Sequence, residues 1–317
     1  SGGGRQALTR IASALDNINM GHFIPDYTAY EELLSIFRGF NTIPILLKPE
    51  RDYKITAKDL KSKIMGLGLS AVLISNPCNP TGQVIQGNEL KEWIKIGRKH
   101  TCTLIFDEFY SHYIYTVPPG EKFKMVSASE YIEDVNSDPV IIVDGLTKNW
   151  RYPGWRISWI VGPKAVIEAV ASAASFLDGG ANNPFQRETL NLLDTENAIK
   201  ETIAIQQHFK KKRDYMLGRL KEMGIMVDSE PEGTFYFWAN LSKLPPPLNN
   251  GMRFFEEGLK EKVITVPGIF FDVNPGKRRS SQNAHYQNYV RISFGPEMNK
   301  LETGLDSIEK MIKKFKS

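Results

Sequence analysis

Asp144-Gly145-Leu146-Thr147-Lys148 follows the unbroken apolar run Val140-Ile141-Ile142-Val143, and Arg156 stands eight positions beyond the lysine. A short run of β-branched residues reads as a buried strand. In open α/β sheets, ligands gather outside the C-terminal ends of the strands, and this strand delivers a lysine there. A lysine in partly apolar surroundings has its pKa lowered and becomes an amine nucleophile or base. Arg156 offers a fixed fork of donors suited to a phosphate. Two upstream stretches repeat the arrangement. Asn76-Pro77-Cys78-Asn79-Pro80-Thr81-Gly82 follows the apolar run 71–75, and Asp107-Glu108-Phe109-Tyr110 follows the run 103–106.

The bulk properties exclude several classes of function. A chain of 317 residues, 41% hydrophobic and 24% charged, has the composition of a soluble globular protein of one large or two moderate domains. Its 40 basic and 36 acidic residues leave a net charge of +4, too small a surplus to argue for nucleic acid or membrane partners. Cys78 and Cys102 make no disulfide framework, and neither they nor the five histidines fall at metal-ligand spacing, so no metal is expected. No stretch approaches the ~18 apolar residues of a membrane span. The expectation is a reduced, cytoplasmic protein.

Along the chain, Ser1-Gly2-Gly3-Gly4 reads either as a flexible linker or as a turn opening a helix in which Ala7, Leu8, Ile11, Ala12 and Leu15 recur at helical spacing. In the second reading, Gly3 and Gly4 let an anion approach the free N–H groups of the helix start. Pro25-Asp26-Tyr27 and Tyr30 precede a short helix around 33–40 and an apolar strand at 43–47. Strands at 71–75, 103–106 and 140–143, with an amphipathic helix at 88–99, predict a mainly parallel sheet. The strand 157–161 follows Lys148 too closely for a helical crossover, which makes it an antiparallel neighbour. A helix begins at Pro163, and a long helical stretch runs over 184–223. Strands are predicted at 234–238 and 289–294, a polar basic loop at 272–288, and an amphipathic helix from Leu301 to Phe315. The division expected is a large domain, 1–205, and a smaller C-terminal one, 206–317.

Together, Asn79, Asp107-x-x-Tyr110, Lys148 with Arg156, and Val290-Arg291-Ile292-Ser293-Phe294-Gly295 resemble the class I/II aminotransferases, enzymes of fold type I that use pyridoxal 5'-phosphate. Taken singly, each has a plainer reading: a turn, a helix cap, a surface ion pair, a solvated strand residue. Their order and intervals follow the family's, and the resemblance extends over almost the whole chain, including Pro231-Glu232-Gly233-Thr234-Phe235-Tyr236. It implies an α/β fold with a mainly parallel, seven-stranded-type mixed sheet flanked by helices, plus a smaller α+β domain. Lys148 would hold the cofactor as a Schiff base and Asp107 would keep its ring nitrogen protonated. Asn79 and Tyr110 would donate to its phenolic oxygen, while Arg156 and the Gly3-Gly4 turn would bind its phosphate. Tyr27 would cover the ring, and Arg291, with Asn79, would hold the substrate carboxylate. The implied activity is transfer of an α-amino group between an amino acid and a 2-oxo acid, in a homodimer with shared active sites.

The sequence departs from the family at two places. Gly145 stands where the family often has a serine or threonine that contacts the phosphate, and Thr147 is the residue that could compensate. Family members also carry a long segment ahead of the glycine turn, completing the small domain, which is expected to be missing from this chain. The same residues serve family lyases, cyclopropane-forming synthases and amino-acid oxidases, so the reaction outcome stays open. A non-catalytic ligand-binding domain is the third reading, with little in the sequence to favour it.

Overall fold

The computed structural model describes residues 1–37 and 39–316. Its centre is a sheet of order β2-β1-β3-β4-β5-β6. The strands are β1 (Ile18–Ile24), β2 (Phe40–Leu46), β3 (Ala71–Ser75), β4 (Thr103–Asp107), β5 (Val140–Gly145) and β6 (Ser158–Val161). The first five run parallel, and β6 is antiparallel to β5, as the short connection after Lys148 requires. The expected sheet is of seven-stranded type, and six strands are seen among the described residues. On the outer edge of β6, Ser1 and Ser158 exchange main-chain hydrogen bonds at 2.7 and 3.0 Å, the pattern of an antiparallel pair.

The alternation of side chains along each strand sorts the core into two layers. Leu73, Ile105, Ile141 and Val143 face one side, against Ala7, Leu8 and Ile11 of α1 (Gly4–Ala14), Val170 of α5 (Lys164–Leu177), and Ile205 and Phe209 of α7 (Thr195–Met223). Val72, Ile74, Leu104, Phe106, Val140 and Ile142 face the other. There they meet Leu60 and Ile64 of α3 (Ala57–Leu67) and Leu90, Trp93 and Ile94 of α4 (Gly87–His100). Burial on both faces is why these strands read as continuous apolar runs.

The helical stretch expected over 184–223 is two helices. α6 (Asn183–Leu192) ends before Asp194, whose side chain accepts from Asn197 N–H at 3.1 Å and so caps a new helix, α7. Residue 205, the expected domain boundary, lies inside α7. A second sheet, β7-β9-β8, is antiparallel and built from Tyr236–Asn240, Val266–Pro267 and Tyr289–Ser293. It packs under α8 (Met298–Lys316), whose Leu301, Leu305, Ile308 and Ile312 are buried with Phe237 and Val290. Residues 272–288 run over α2 (Ala29–Ile36), with Asn274 N–H bonded to Glu31 and Gly276 N–H to Ser35.

The two sheets are laced together beside the strand ends. Gly82 O accepts from the N–H groups of Glu232 and Gly233 at 2.9 and 2.8 Å, and Thr234 N–H donates to Tyr113 O at 3.1 Å. Gly82 has φ +71°, and a β-carbon there would lie 2.5 Å from Pro231, so the position requires glycine. No helix among the described residues is long and apolar enough to cross a membrane.

Gly145 is also sterically fixed. A β-carbon there would sit 2.6 Å from Ile157 O and 2.7 Å from Ser158 Cα, both on the adjoining chain of the β5–β6 turn. The hydroxyl residue common in the family at this place therefore does not fit this backbone. Gly145→Ala should destabilise by about 1–3 kcal/mol through overpacking. Gly154→Ala, where the added methyl group meets nothing within 4 Å, should be near neutral. Thermal unfolding of the two variants side by side checks this.

Candidate active site

Register places the chemistry. Ser75 pairs with Asp107 and Asp107 with Val143, so β3 and β4 end level with Val143 of β5, which runs on to Gly145, and the three C-terminal loops open side by side. They border a cavity of about 680 Å³. Gly4, Tyr27, Asn79, Asp107, Tyr110, Lys148, Arg156 and Arg291 all line it, so every site residue expected from the sequence reaches the cavity except Gly3. Gly3 lies just behind, against the guanidinium of Arg156, where any β-carbon would collide with that group.

Asp107 is buried. Its Oδ2 accepts from Tyr30 Oη–H at 2.8 Å and its Oδ1 from Phe109 N–H at 3.4 Å. Burial pushes its pKa up to about 6, although these two bonds and the charge of Lys148 pull the other way. The Lys148 amine has its pKa lowered, first by burial and then by the charges of Arg291 and Arg5. It lies 5.8 Å from the centroid of the Phe235 ring. Each group is thus pushed toward its neutral form.

The turn carrying Lys148 is held from beneath. Asn149, fully buried, donates its amide N–H groups to both Asp144 carboxylate oxygens at 3.0 and 3.1 Å and to Ser111 Oγ at 3.0 Å. Its Oδ1 accepts from His112 N–H, and Tyr113 Oη–H donates to Lys148 O at 3.0 Å. The loops after β4 and β5 are therefore one hydrogen-bonded unit. Thr147 Oγ1 is buried among the described residues with no hydrogen-bond partner and lines the cavity.

The cavity's arginines form no ion pair among the described residues. Arg291, on β9, has an Nη1 donating to Asn79 Oδ1 at 2.7 Å, and its Cζ stands 4.0 Å from the centre of the Tyr236 ring and 4.9 Å from that of Phe271. Arg156, with φ +57°, donates to Pro153 O and Gly2 O, both at 3.0 Å. Arg5, on α1, donates to Tyr27 Oη at 3.4 Å. Buried Tyr110 shares a 3.0 Å hydrogen bond with Tyr236 Oη, and Tyr27 meets Tyr30 edge to face, 5.5 Å apart. The N-terminus of α1 has no side-chain cap, so its free N–H groups and positive dipole end border the cavity at Gly4.

Sequence reasoning assigned no role to Tyr30, Asn149, Tyr236 or Arg5. Tyr30 is the Asp107 partner and Asn149 the anchor of the lysine turn, and only the fold brings them there. Three aromatics that follow the lysine, Trp150, Tyr152 and Trp155, do not line the cavity. Trp150 packs on His112 and Trp159, and Tyr152 leans on Trp155, which stacks on Phe185.

A mixed α/β sheet with an amine and a carboxylate at adjoining strand ends, and arginines around them, is the architecture of fold type I. A family profile described as aminotransferase class I and II matches residues 1–308, and the chain belongs to that family. It is 28% identical over 295 residues to an aspartate aminotransferase of Sulfolobus acidocaldarius, covering 92% of this chain and 68% of that protein. It is 27% identical over 313 residues to the aspartate aminotransferase of Thermotoga maritima, covering 97% and 73%. The solved structure of an aspartate aminotransferase from Thermotoga maritima superposes with a TM-score of 0.80 at 25% identity, covering 99% of this chain and 75% of that one. An aromatic aminotransferase of Pyrococcus horikoshii superposes at 0.82 with 24% identity, covering 99% and 79%, which shows the shared fold. The protein is an enzyme of the aminotransferase type.

Asp107 generates a test in the cofactor-free protein. Its folded pKa lies above the unfolded value, so its contribution to stability is fully present below pH ~4 and is lost as pH rises through about 6. Asp107→Asn should therefore be more stable than wild type above pH 6, by up to about 3 kcal/mol. The two should converge toward pH 4. Urea unfolding across that range measures the difference.

Proposed function

We propose that the cavity binds pyridoxal 5'-phosphate and that the enzyme transfers the α-amino group of an amino acid to a 2-oxo acid. The observation carrying this reading is that Lys148 and Asp107 border one cavity from adjacent parallel strands. Burial pushes Lys148 toward the neutral amine of a nucleophile, and it raises the pKa of Asp107, which a cation bound beside it would bring back to the ionised form.

The residues present fit the group. The glycine turn lets the Arg156 guanidinium lie against the backbone at Gly3, where a β-carbon would collide with it, and Thr147 Oγ1 has no partner of its own among the described residues. Arg156, Thr147 and the N–H groups opening α1 would hold the phosphate, Thr147 taking the place that Gly145 cannot fill. Asp107 would hold a proton on the ring nitrogen, since a cation beside it favours its ionised form, and Tyr30 fixes its orientation. Asn79 and Tyr110 would donate to the ring oxygen, with Tyr27 covering the ring and shutting out water. When bound, the cofactor supplies an electron-accepting ring conjugated to the substrate's Cα. Arg291 would grip the α-carboxylate with the edge of its guanidinium and so set which Cα bond lies across the ring. Lys148 Nζ would carry the proton between Cα and the cofactor's C4' carbon, its lowered pKa keeping more of the amine neutral.

Relatives named aspartate aminotransferases suggest a dicarboxylic substrate. Arg5 supports this, as a cavity cation without an ion pair among the described residues, available to a side-chain carboxylate. A large domain of residues 1–205, a smaller one of 206–317, a homodimer and a cytoplasmic location belong to the same reading.

Purified protein given pyridoxal phosphate should show an absorbance band near ~420 nm that borohydride reduction locks onto Lys148 in a mass spectrum. Lys148→Ala should show neither band nor label, and a labelled alanine variant would sink the assignment. Arg5→Ala should lower kcat/KM for aspartate about 10- to 100-fold, the worth of a charged hydrogen bond. Its kcat/KM for alanine should change far less, and steady-state assays with both donors measure the split.

A further inference from the structure

Tyr236 is buried at the first position of β7 and touches two of the groups just assigned. Its ring lies 4.0 Å beneath the Arg291 guanidinium carbon, and its hydroxyl is 3.0 Å from that of Tyr110. We propose that Tyr236 is a positioning residue that couples the carboxylate-binding arginine to the tyrosine facing the cofactor's ring oxygen. The proposal rests on the function given above.

The two contacts use different parts of the side chain. A guanidinium binds carboxylate through its edge, where the N–H donors lie, and binds an aromatic ring through its face. Stacking on Tyr236 therefore holds the plane of Arg291 without occupying a donor. Asn79 engages Nη1, which leaves the remaining N–H groups for substrate. Desolvation strengthens the cation–π contact, and both partners line the cavity wall.

The hydroxyl acts in the other direction. A phenol has one proton to donate and lone pairs to accept. If Tyr110 gives its proton to an anionic ring oxygen, it must accept rather than donate at its contact with Tyr236, which then donates. Such a relay strengthens the outer bond, because each donor polarises the next. Tyr236 also sits on the strand paired with Arg291's own, Trp238 being opposite Arg291 and Tyr236 opposite Ser293. A shift of that small sheet would thus move the arginine's platform and the relay together.

The test uses holoenzyme of wild type, Tyr236→Phe and Tyr236→Leu, each with its Lys148-dependent absorbance band verified. One readout is the dissociation constant of maleate, a non-reacting dicarboxylate, by calorimetry. The other is the pH at which the bound cofactor's band changes. Tyr236→Phe keeps the platform and loses the relay, so maleate affinity should stay within about twofold while the spectral transition moves to higher pH. That direction follows because the ring oxygen loses support for its anionic form. Tyr236→Leu should show the same spectral shift and also bind maleate about 3- to 30-fold more weakly, the range of a cation–π contact.

Equal loss of maleate affinity in both variants would overturn the platform, and an unmoved transition in Tyr236→Phe would overturn the relay. The phenylalanine variant decides the relay whether or not the leucine variant folds, and Tyr236→Met, also without a ring, replaces the latter if it does not. Absence of the band in wild type is a different failure, that of the cofactor assignment itself.

Discussion

The register of three parallel strands governs everything above. Because Ser75, Asp107 and Val143 stand abreast, a turn-forming loop, an acidic loop and a lysine loop leave the sheet side by side at the same end. A slip of one residue along β4 would turn Asp107 to the opposite face and bury the wrong half of Leu104-Ile105-Phe106. The hydrophobic pattern that fills two core layers therefore also aligns the polar groups. Main-chain bonds from Gly82 to Glu232 and Gly233 extend the alignment to the second sheet, which supplies Tyr236 and Arg291.

Within that frame, the charges are arranged for what is to arrive. Among the described residues, Arg156 is tied to carbonyl oxygens and Arg291 to an amide oxygen, so both are oriented by neutral acceptors that leave their charge available. Asp107 is held by a phenol and a backbone N–H rather than by a cation. Dipoles fixed in place before a ligand binds need not reorganise when it does. Other arginines are paired with carboxylates, as Arg98 with Asp138 and Arg213 with Glu230.

What the sequence revealed, and what it hid, follow from range. β3, β4 and β5 are legible because burial on both faces makes them apolar without interruption, and the residues just after them drew notice as a set through their resemblance to a family's motifs. β1 escaped notice because Asn19, Gly21 and His22 break its apolar pattern, yet it lies between β2 and β3. The break at Asp194 was hidden in a helical composition, since a capping aspartate resembles any surface acid until its side chain is seen on Asn197 N–H. Lys148, Asp107 and Arg291 could be picked out by their motifs. Tyr30, Asn149 and Tyr236 act through partners 77, 38 and 126 residues away in the chain, and no local pattern marks such contacts.

The buried carboxylate also bears on the stability of the fold. Asp107 has no ion pair among the described residues, its ionised form weighs against the folded state, and a ligand that supplies a close cation relieves that load by mass action. Empty molecules then open more often than filled ones, and opened chains are those that proteases reach. With pyridoxal phosphate as that ligand, the standing amount of enzyme would follow the supply of its cofactor. Scarcity would thin the population with no change in its synthesis.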